Sequence, residues 1–263
     1  MQSNSWKKIS RRCKNASIRH GFSGTPETSL VQTEDGRETQ DEYLEAYLGP
    51  KLFVETTKDL IDDGWLAEAE VRMIDNDLYF DGQPLNYNDE YERIVVEDEE
   101  RNTQICKVIK NSYENGEKVV GFVDRIAHGE NIKNRLVNEF GIPCDDLSFV
   151  HGSCYNRDEM IEEFSEGSSR ILFGTVLSEG LNLACDVGIN MSGGQSNIET
   201  RQNIGRILRK DKKEDGDIDK DEDQKVKFYD FLDKGHPWFG KHAKNRMDIY
   251  RSEGFNVNTV EEL

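Results

Sequence analysis

Long apolar runs are missing from this 263-residue sequence. No stretch approaches the roughly 18 uninterrupted apolar residues that a membrane-crossing helix needs, and the opening lacks the apolar centre of a secretory signal. An intracellular, cytoplasmic protein with no membrane partner is expected. Cysteine is scarce: five residues, at 13, 106, 144, 154 and 185, with no C-x-x-C. An odd count in that arrangement suggests neither a disulfide frame nor a zinc site, so reduced thiols and no bound metal are expected. Also missing is G-x-x-x-x-G-K-[ST], the loop whose backbone N–H groups cradle phosphates and whose lysine and hydroxyl serve phosphate and magnesium. No D-E-x-D/H box follows an apolar strand, because Asp41-Glu42 and Asp89-Glu90 lie in polar, tyrosine-containing segments and read as surface.

A surplus of positive charge is lacking as well. With 34 Lys and Arg against 52 Asp and Glu, the formal charge of -18 excludes a surface that attracts polyanions everywhere. Screening confines exposed charges to roughly 10 Å, so a local basic face is still allowed. Residues 1–20 supply one, with Lys7, Lys8, Arg11, Arg12, Lys14 and Arg19 and no acid, and read as a solvated helix. That opening is also like a transit peptide, but it runs within a few residues into an ordered-looking strand and turn, which leaves no room for a cleavage spacer. The run DKKEDGDIDKDED at 211–223 has calcium-loop spacing except for Lys213 at the third position, a cation against a cation, and reads as a solvated acidic loop.

What is present is an alternation. A helix near 97–113 precedes KVVGFV at 118–123, then come a helix at 126–140, LSFV at 147–150, a helix holding Met160, Ile161 and Phe164, RILFGT at 170–175, VGINM at 187–191, a helix at 196–209 and KVKFYDFL at 225–232. Short, nearly continuous apolar strands between amphipathic helices mark an α/β domain whose parallel sheet is covered on both faces. Residues 32–42 read as an acidic polar loop, and 75–92, rich in Asn, Asp, Gly and Pro, as a hairpin-rich connector. His236 and His242, six apart around Pro237 and Trp238, read as a packed surface turn rather than a metal site. Trp65 and Trp238 read as core.

Chemistry concentrates in QNIGRILR at 202–209. On a helix Gln202, Gly205, Arg206 and Arg209 share one polar stripe, with Ile204, Ile207 and Leu208 opposite. Guanidinium groups fork onto phosphate oxygens and keep their charge, so such a face suits an anion; an ordinary exposed basic helix end is the alternative. Some thirty residues earlier, RILFGT runs into TVLSEGLNL, where Thr175 ends a strand and Asn182 follows the turn at Gly180. Ligands of parallel sheets bind at that carboxyl edge.

Together T-x-x-x-E-G-x-N at 175–182 and Q-x-x-G-R-x-x-R at 202–209 resemble motifs V and VI of superfamily 2 helicases. GFVDRIAHGE at 121–130 looks like motif IV, and FVHGSCYNRDEMIEEFSEGSSRILFGT at 149–175 like the strand, turn, helix and strand of the second RecA-like domain. ASIRHGFSGTP resembles motif III at the end of the first RecA-like domain, as S-G-T-P where many relatives have S-A-T. YLGPKLF and LIDDGWL are similar to the segment that follows in the phage UvsW-like and XPB-like branches. The likeness covers about residues 10–255.

It implies a second RecA-like domain at 95–263, a connector at 73–94 and, at 1–72, the last part of a first, ATP-binding domain inside which the chain begins. By the same resemblance Arg206 and Arg209 reach the terminal phosphate of ATP, Gly180, Asn182, Gln202 and Gly205 line or couple the nucleotide site, and Ser23 and Thr25 link hydrolysis to the track. Thr175, Ser153, His151 and Arg125 contact nucleic acid, with DNA favoured, although His151 is equally suited to closing a turn with Gly152. ATP and magnesium would be bound only once a polypeptide carrying the P-loop half joins. Two other readings are compatible with the residues: a non-catalytic nucleic-acid-binding or regulatory module with a helicase-like shell, and an unrelated α/β enzyme such as a nucleotide-sugar transferase, which leaves the arginine stripe unexplained.

Overall fold

The computed structural model describes residues 55–76, 86–177, 183–210 and 224–260, together with 12–13, 21, 30–33, 36–39, 50, 52, 80, 82 and 84. Residues 1–55 and 56–263 are separate compact units. In the first, strands β1 (Leu30–Thr33) and β2 (Gly36–Thr39) pair antiparallel, from Leu30 opposite Thr39 to Thr33 opposite Gly36. An antiparallel strand pair therefore occupies part of the stretch that reads as an acidic loop.

In the second unit seven strands form one sheet: β3 (Glu68–Ile74), β4 (Val119–Phe122), β5 (Leu147–Val150), β6 (Ile171–Gly174), β7 (Val187–Asn190), β8 (Lys225–Phe231) and β9 (Asn256–Val260). Their order is β5-β6-β4-β7-β8-β3-β9, and each pairing is parallel. The expected parallel α/β layer is thus present. Strands β4 to β7 are buried at every position, as their continuous apolar sequences require of strands covered on both faces.

One face is covered by α3 (Glu99–Glu114) and α4 (Ile126–Asn138), whose Ile105, Ile109, Ile132 and Leu136 pack with Val119, Ile189 and Phe231. The other is covered by α5 (Arg157–Glu166), α6 (Asn197–Ile207) and α7 (Phe239–Ser252), through Ile161, Phe164, Ile204, Ile207 and Tyr250. Helix ends follow capping chemistry. Asp98 accepts from the Arg101 N–H (2.8 Å) at the start of α3, Ser196 Oγ from the Glu199 N–H (3.2 Å) at the start of α6, and Gly167 closes α5 at φ 83°. A short α1 (Thr57–Asp62) begins with a reciprocal Thr56–Asp59 capping box.

The structure redraws the expected organisation. Strand β3 lies between β8 and β9, from Glu68 opposite Lys225 to Ile74 opposite Phe231, so the boundary expected after residue 72 falls inside a sheet strand. Glu and Ala in AEAEVRMI favour helix locally, but the slot between two parallel strands imposes an extended chain whose Ala69, Val71 and Met73 are buried. The described residues of the expected hairpin-rich connector hold no strand; they form α2 (Tyr87–Tyr91), which runs into a wider π-type turn at Glu92–Val96. Helix α7 and strand β9 follow the last element that the sequence pattern marks. Glu90 is buried rather than on the surface, and its carboxylate accepts from Arg93 at 2.7 Å. His236 and His242 are buried too, while Trp65 is exposed.

Candidate nucleotide and nucleic-acid edge

A cavity of about 280 Å³ opens at the carboxyl ends of β6, β4 and β7. From β4 the chain passes to β5 and back to β6 on one side, then crosses to β7 and β8 on the other, and crevices form where a parallel sheet reverses its order in this way. Val123 and Asp124 reach the cavity from β4, Thr175 from β6 and Ser192 from β7, while α6 contributes Gln202 and Arg206 along its length. Guanidinium, amide and hydroxyl donors therefore converge on one concavity.

The loop from Met191 to Ser196 delivers α6 to this edge, and its backbone is satisfied by side chains from three other helices. Arg101 donates to Met191 O (2.8 Å) and Ser192 O (3.4 Å). The Gly193 N–H donates to Tyr91 Oη (3.3 Å), His242 Nδ1 lies 3.1 Å from Gly193 O, and Arg246 Nη1 donates to Gly194 O (2.7 Å). A loop packed this deeply would otherwise carry unpaired polar groups. Gly193 is needed for closeness, since a Cβ there would stand 2.6 Å from Val95 Cγ2 and 3.3 Å from Phe239 Cδ1.

These anchors are themselves held. Arg246 forks onto Asp230 (2.8 and 2.9 Å), to which Tyr250 also donates (2.8 Å), and all three are buried. Burial works against the Arg246 charge, but Asp230 outweighs it and raises the guanidinium further above its usual range. Arg101 pairs with Asp233 (3.1 Å), both fully buried, and Asp233 also accepts from Asn76 (2.8 Å). Tyr91 donates to Asp124 at 2.7 Å; burial first, then that carboxylate, push its phenol well above the ordinary range. Burial likewise lowers His242 and holds His128 neutral, its pKa lowered to about 3.

The structure sorts the residues marked in the sequence. Thr175, Gln202 and Arg206 come together at the cavity. Arg206 Nη1 lies 3.5 Å from Asn203 Oδ1, and Gly205 leaves open space beside it. Arg209 does not share the stripe: α6 ends at Ile207, Leu208 caps it, and Arg209 is exposed in an antiparallel bridge with Leu66. The helical spacing was extended one turn too far, because the Ala67 N–H takes the Leu208 carbonyl and draws the chain out of the helix. Arg125, expected at nucleic acid, donates to Glu92 (2.7 Å) and Asn88 Oδ1 (3.1 Å), with its guanidinium 4.3 Å from the centre of the Tyr91 ring. His151 accepts the Ser153 N–H at Nδ1 (3.3 Å), which closes the turn after β5, and Ser153 is exposed. Ser23, Thr25, Gly180 and Asn182 lie outside the described residues. Among those residues no cluster of His, Cys, Asp and Glu is fit to hold a metal, and no helix is long and apolar enough to cross a membrane.

The helicase conserved C-terminal domain family matches residues 100–211. That stretch, less than half of the chain, is similar to the C-terminal domain of helicases. Its RecA-like fold is shared with solved structures: T4 UvsW (TM-score 0.55, 20% identity, 87% of this chain and 47% of that one) and a fragment of a putative HsdR subunit of a type I restriction enzyme from Vibrio vulnificus YJ016 (0.62, 17%, 90% and 44%). Dbp5 from S. cerevisiae, bound to RNA and ADP BeF3, is similar as well (0.53, 16%, 84% and 48%). The chain spans less than half the length of each of these three. No curated protein matches by sequence. Around the cavity and the loop that supports it, Asp124, Tyr91, Arg101, Arg246 and His242 are site-forming residues that the motif reading did not mark.

Proposed function

We propose that this chain supplies the C-terminal motor half of an ATP-dependent nucleic-acid helicase or translocase. The observation that carries the reading is the placement of Arg206 and Gln202 on α6 beside Thr175, at the cavity on the carboxyl edge. That donor set fits the terminal phosphate of a nucleotide held mainly by other residues. ATP with magnesium would supply the free energy of phosphoryl transfer, and a P-loop and acidic box, from another polypeptide or another part of a longer chain, would hold it. This chain's contribution is electrostatic: Arg206 steadies charge that develops on the transferred phosphoryl group, Gln202 orients the phosphate edge, and Gly205 leaves room for it. Arg209, off the helix and outside the cavity lining, would follow as a second cation. Gly180, Asn182, Ser23 and Thr25 take the coupling roles that their motifs imply.

Nucleic acid, with DNA favoured, would lie along the loops that end β4, β5 and β6, touched by Thr175, Ser153, His151 and, after release from Glu92, Arg125. Contacts of this kind address the phosphate backbone and favour structure over sequence. Residues 1–55 would serve as the end of the first RecA-like domain, and the setting would be the cytoplasm. Association between this chain and a P-loop half, followed by sedimentation with and without ADP BeF3, tests the reading. Nucleotide is expected to tighten the complex at least about tenfold, by on the order of 1.4 kcal/mol, and Arg206→Ala to abolish the gain. Association indifferent to nucleotide, with nucleic-acid binding intact, would favour the non-catalytic module.

A further inference from the structure

Tyr155 is the most exposed large apolar side chain among the described residues, at 107% relative exposure, and it occupies the turn that ends β5. The turn is rigidly made. The Cys154 N–H donates to His151 O (3.0 Å), the Ser153 N–H to His151 Nδ1 (3.3 Å), Cys154 Sγ lies 3.8 Å from Phe149 O, and α5 starts directly afterward with Met160 N–H donating to Asn156 O (3.0 Å). Behind it, Phe149 stacks on Phe173 at 5.1 Å, and the Thr175 N–H donates to Val150 O (3.0 Å), which fastens the end of β6 to the end of β5. An aromatic ring thus projects from a fixed turn beside Ser153 and on the same edge as Thr175.

From this arrangement, and on the nucleic-acid reading given above, we infer that Tyr155 is a stacking platform for one base of a single strand whose backbone runs past Ser153 and Thr175. The surroundings select that occupant. A protein partner would bury on the order of 800 Å² on each side around an apolar centre, whereas the neighbours of Tyr155 are exposed Gly152, Ser153 and Asn156 and the Arg157–Asp158 pair (3.2 Å). A single base needs one flat ring and polar flanks, and stacking tolerates any sequence because every base presents a π-face. In a duplex the bases are paired and stacked already, so the platform gives the edge a preference for single strands.

The full chain, with Tyr155→Ala and Tyr155→Trp, is titrated against labelled oligothymidylate of 20 nucleotides, the same length of abasic spacer, and a blunt duplex, and binding is read by fluorescence anisotropy. Tyr155→Ala is expected to bind oligothymidylate about tenfold more weakly and Tyr155→Trp to bind it like the native chain. The native chain should lose the same factor on the abasic strand, and Tyr155→Ala should not distinguish the two strands or change on duplex. Equal binding of oligothymidylate by the native chain and Tyr155→Ala overturns the platform alone. An equal loss by Tyr155→Ala on the thymidylate and abasic strands also overturns it, since the ring would then act on the backbone. Failure of the native chain to bind any of the three overturns the helicase reading together with the platform.

Discussion

Arg246 sits at the meeting point of three obligations, to Asp230, to the Phe231 carbonyl (3.1 Å) and to the Gly194 carbonyl. Replacing it with Met removes the cation and leaves the Asp230 carboxylate buried with Tyr250 as its remaining side-chain donor. Loss of one partner from a buried ion pair costs about 3–5 kcal/mol, so Arg246→Met is expected to lower the unfolding free energy measured by urea titration by that much; a loss under about 1 kcal/mol would contradict the network. His128 makes a second prediction. Burial lowers its pKa from 6.5 to about 3, and its Nε2 lies 3.0 Å from Asn102 Oδ1. The unfolded chain takes up a proton that the folded one refuses, so the stability tied to this neutral ring is complete above pH 6.5 and drains as pH falls toward 3. Between pH 7.5 and pH 5 the loss is about 2 kcal/mol. His128→Gln should flatten that slope in urea titrations, whereas an unchanged slope would place the acid sensitivity elsewhere. Neither residue announces itself in sequence, because an arginine or histidine on a helix reads as surface until the loop that it serves is known.

At the scale of elements, strands were the most legible. LSFV coincides with β5, the centres of KVVGFV and RILFGT are β4 and β6, and VGINM and KVKFYDFL short of their last residue are β7 and β8, because continuous apolar runs have few other places to go. Strand β3 and helix α7 were not legible. The first has helix-favouring residues overruled by its neighbours, and the second carries buried His242 and Arg246 where an apolar stripe would be expected. The α6 stripe was legible through Arg206 and misread at Arg209, since the chain leaves the helix for a backbone bond to Ala67. The close approach of β5 and β6 is testable by substitution. A Cβ at Gly174 would overlap the Val150 carbonyl oxygen, a backbone atom already engaged by the Thr175 N–H, so relief requires moving a ladder. Gly174→Ala is expected to destabilise by about 1–3 kcal/mol, measured by thermal unfolding, and a neutral result would mean that the two strands separate easily.

For the molecule as a whole, the layout of the sheet decides what can be removed. Residues 56–263 contain every strand of the seven-stranded sheet, whereas residues 95–263 lack β3 and would leave β8 and β9 with no strand between them. The longer piece is expected to unfold cooperatively in urea and the shorter one to aggregate or melt without a clear transition; equal behaviour would show that β3 is dispensable. The role proposed for the cavity on the carboxyl edge is to serve the phosphate of a nucleotide presented by a P-loop half. Its most direct measurement is the ATP turnover of the full chain, alone and mixed with a polypeptide that carries the P-loop and acidic box, with single-stranded DNA present. Turnover confined to the mixture, and reduced on the order of a thousandfold by Arg206→Ala, is the expected result. Turnover in the mixture that survives Arg206→Ala would contradict the account.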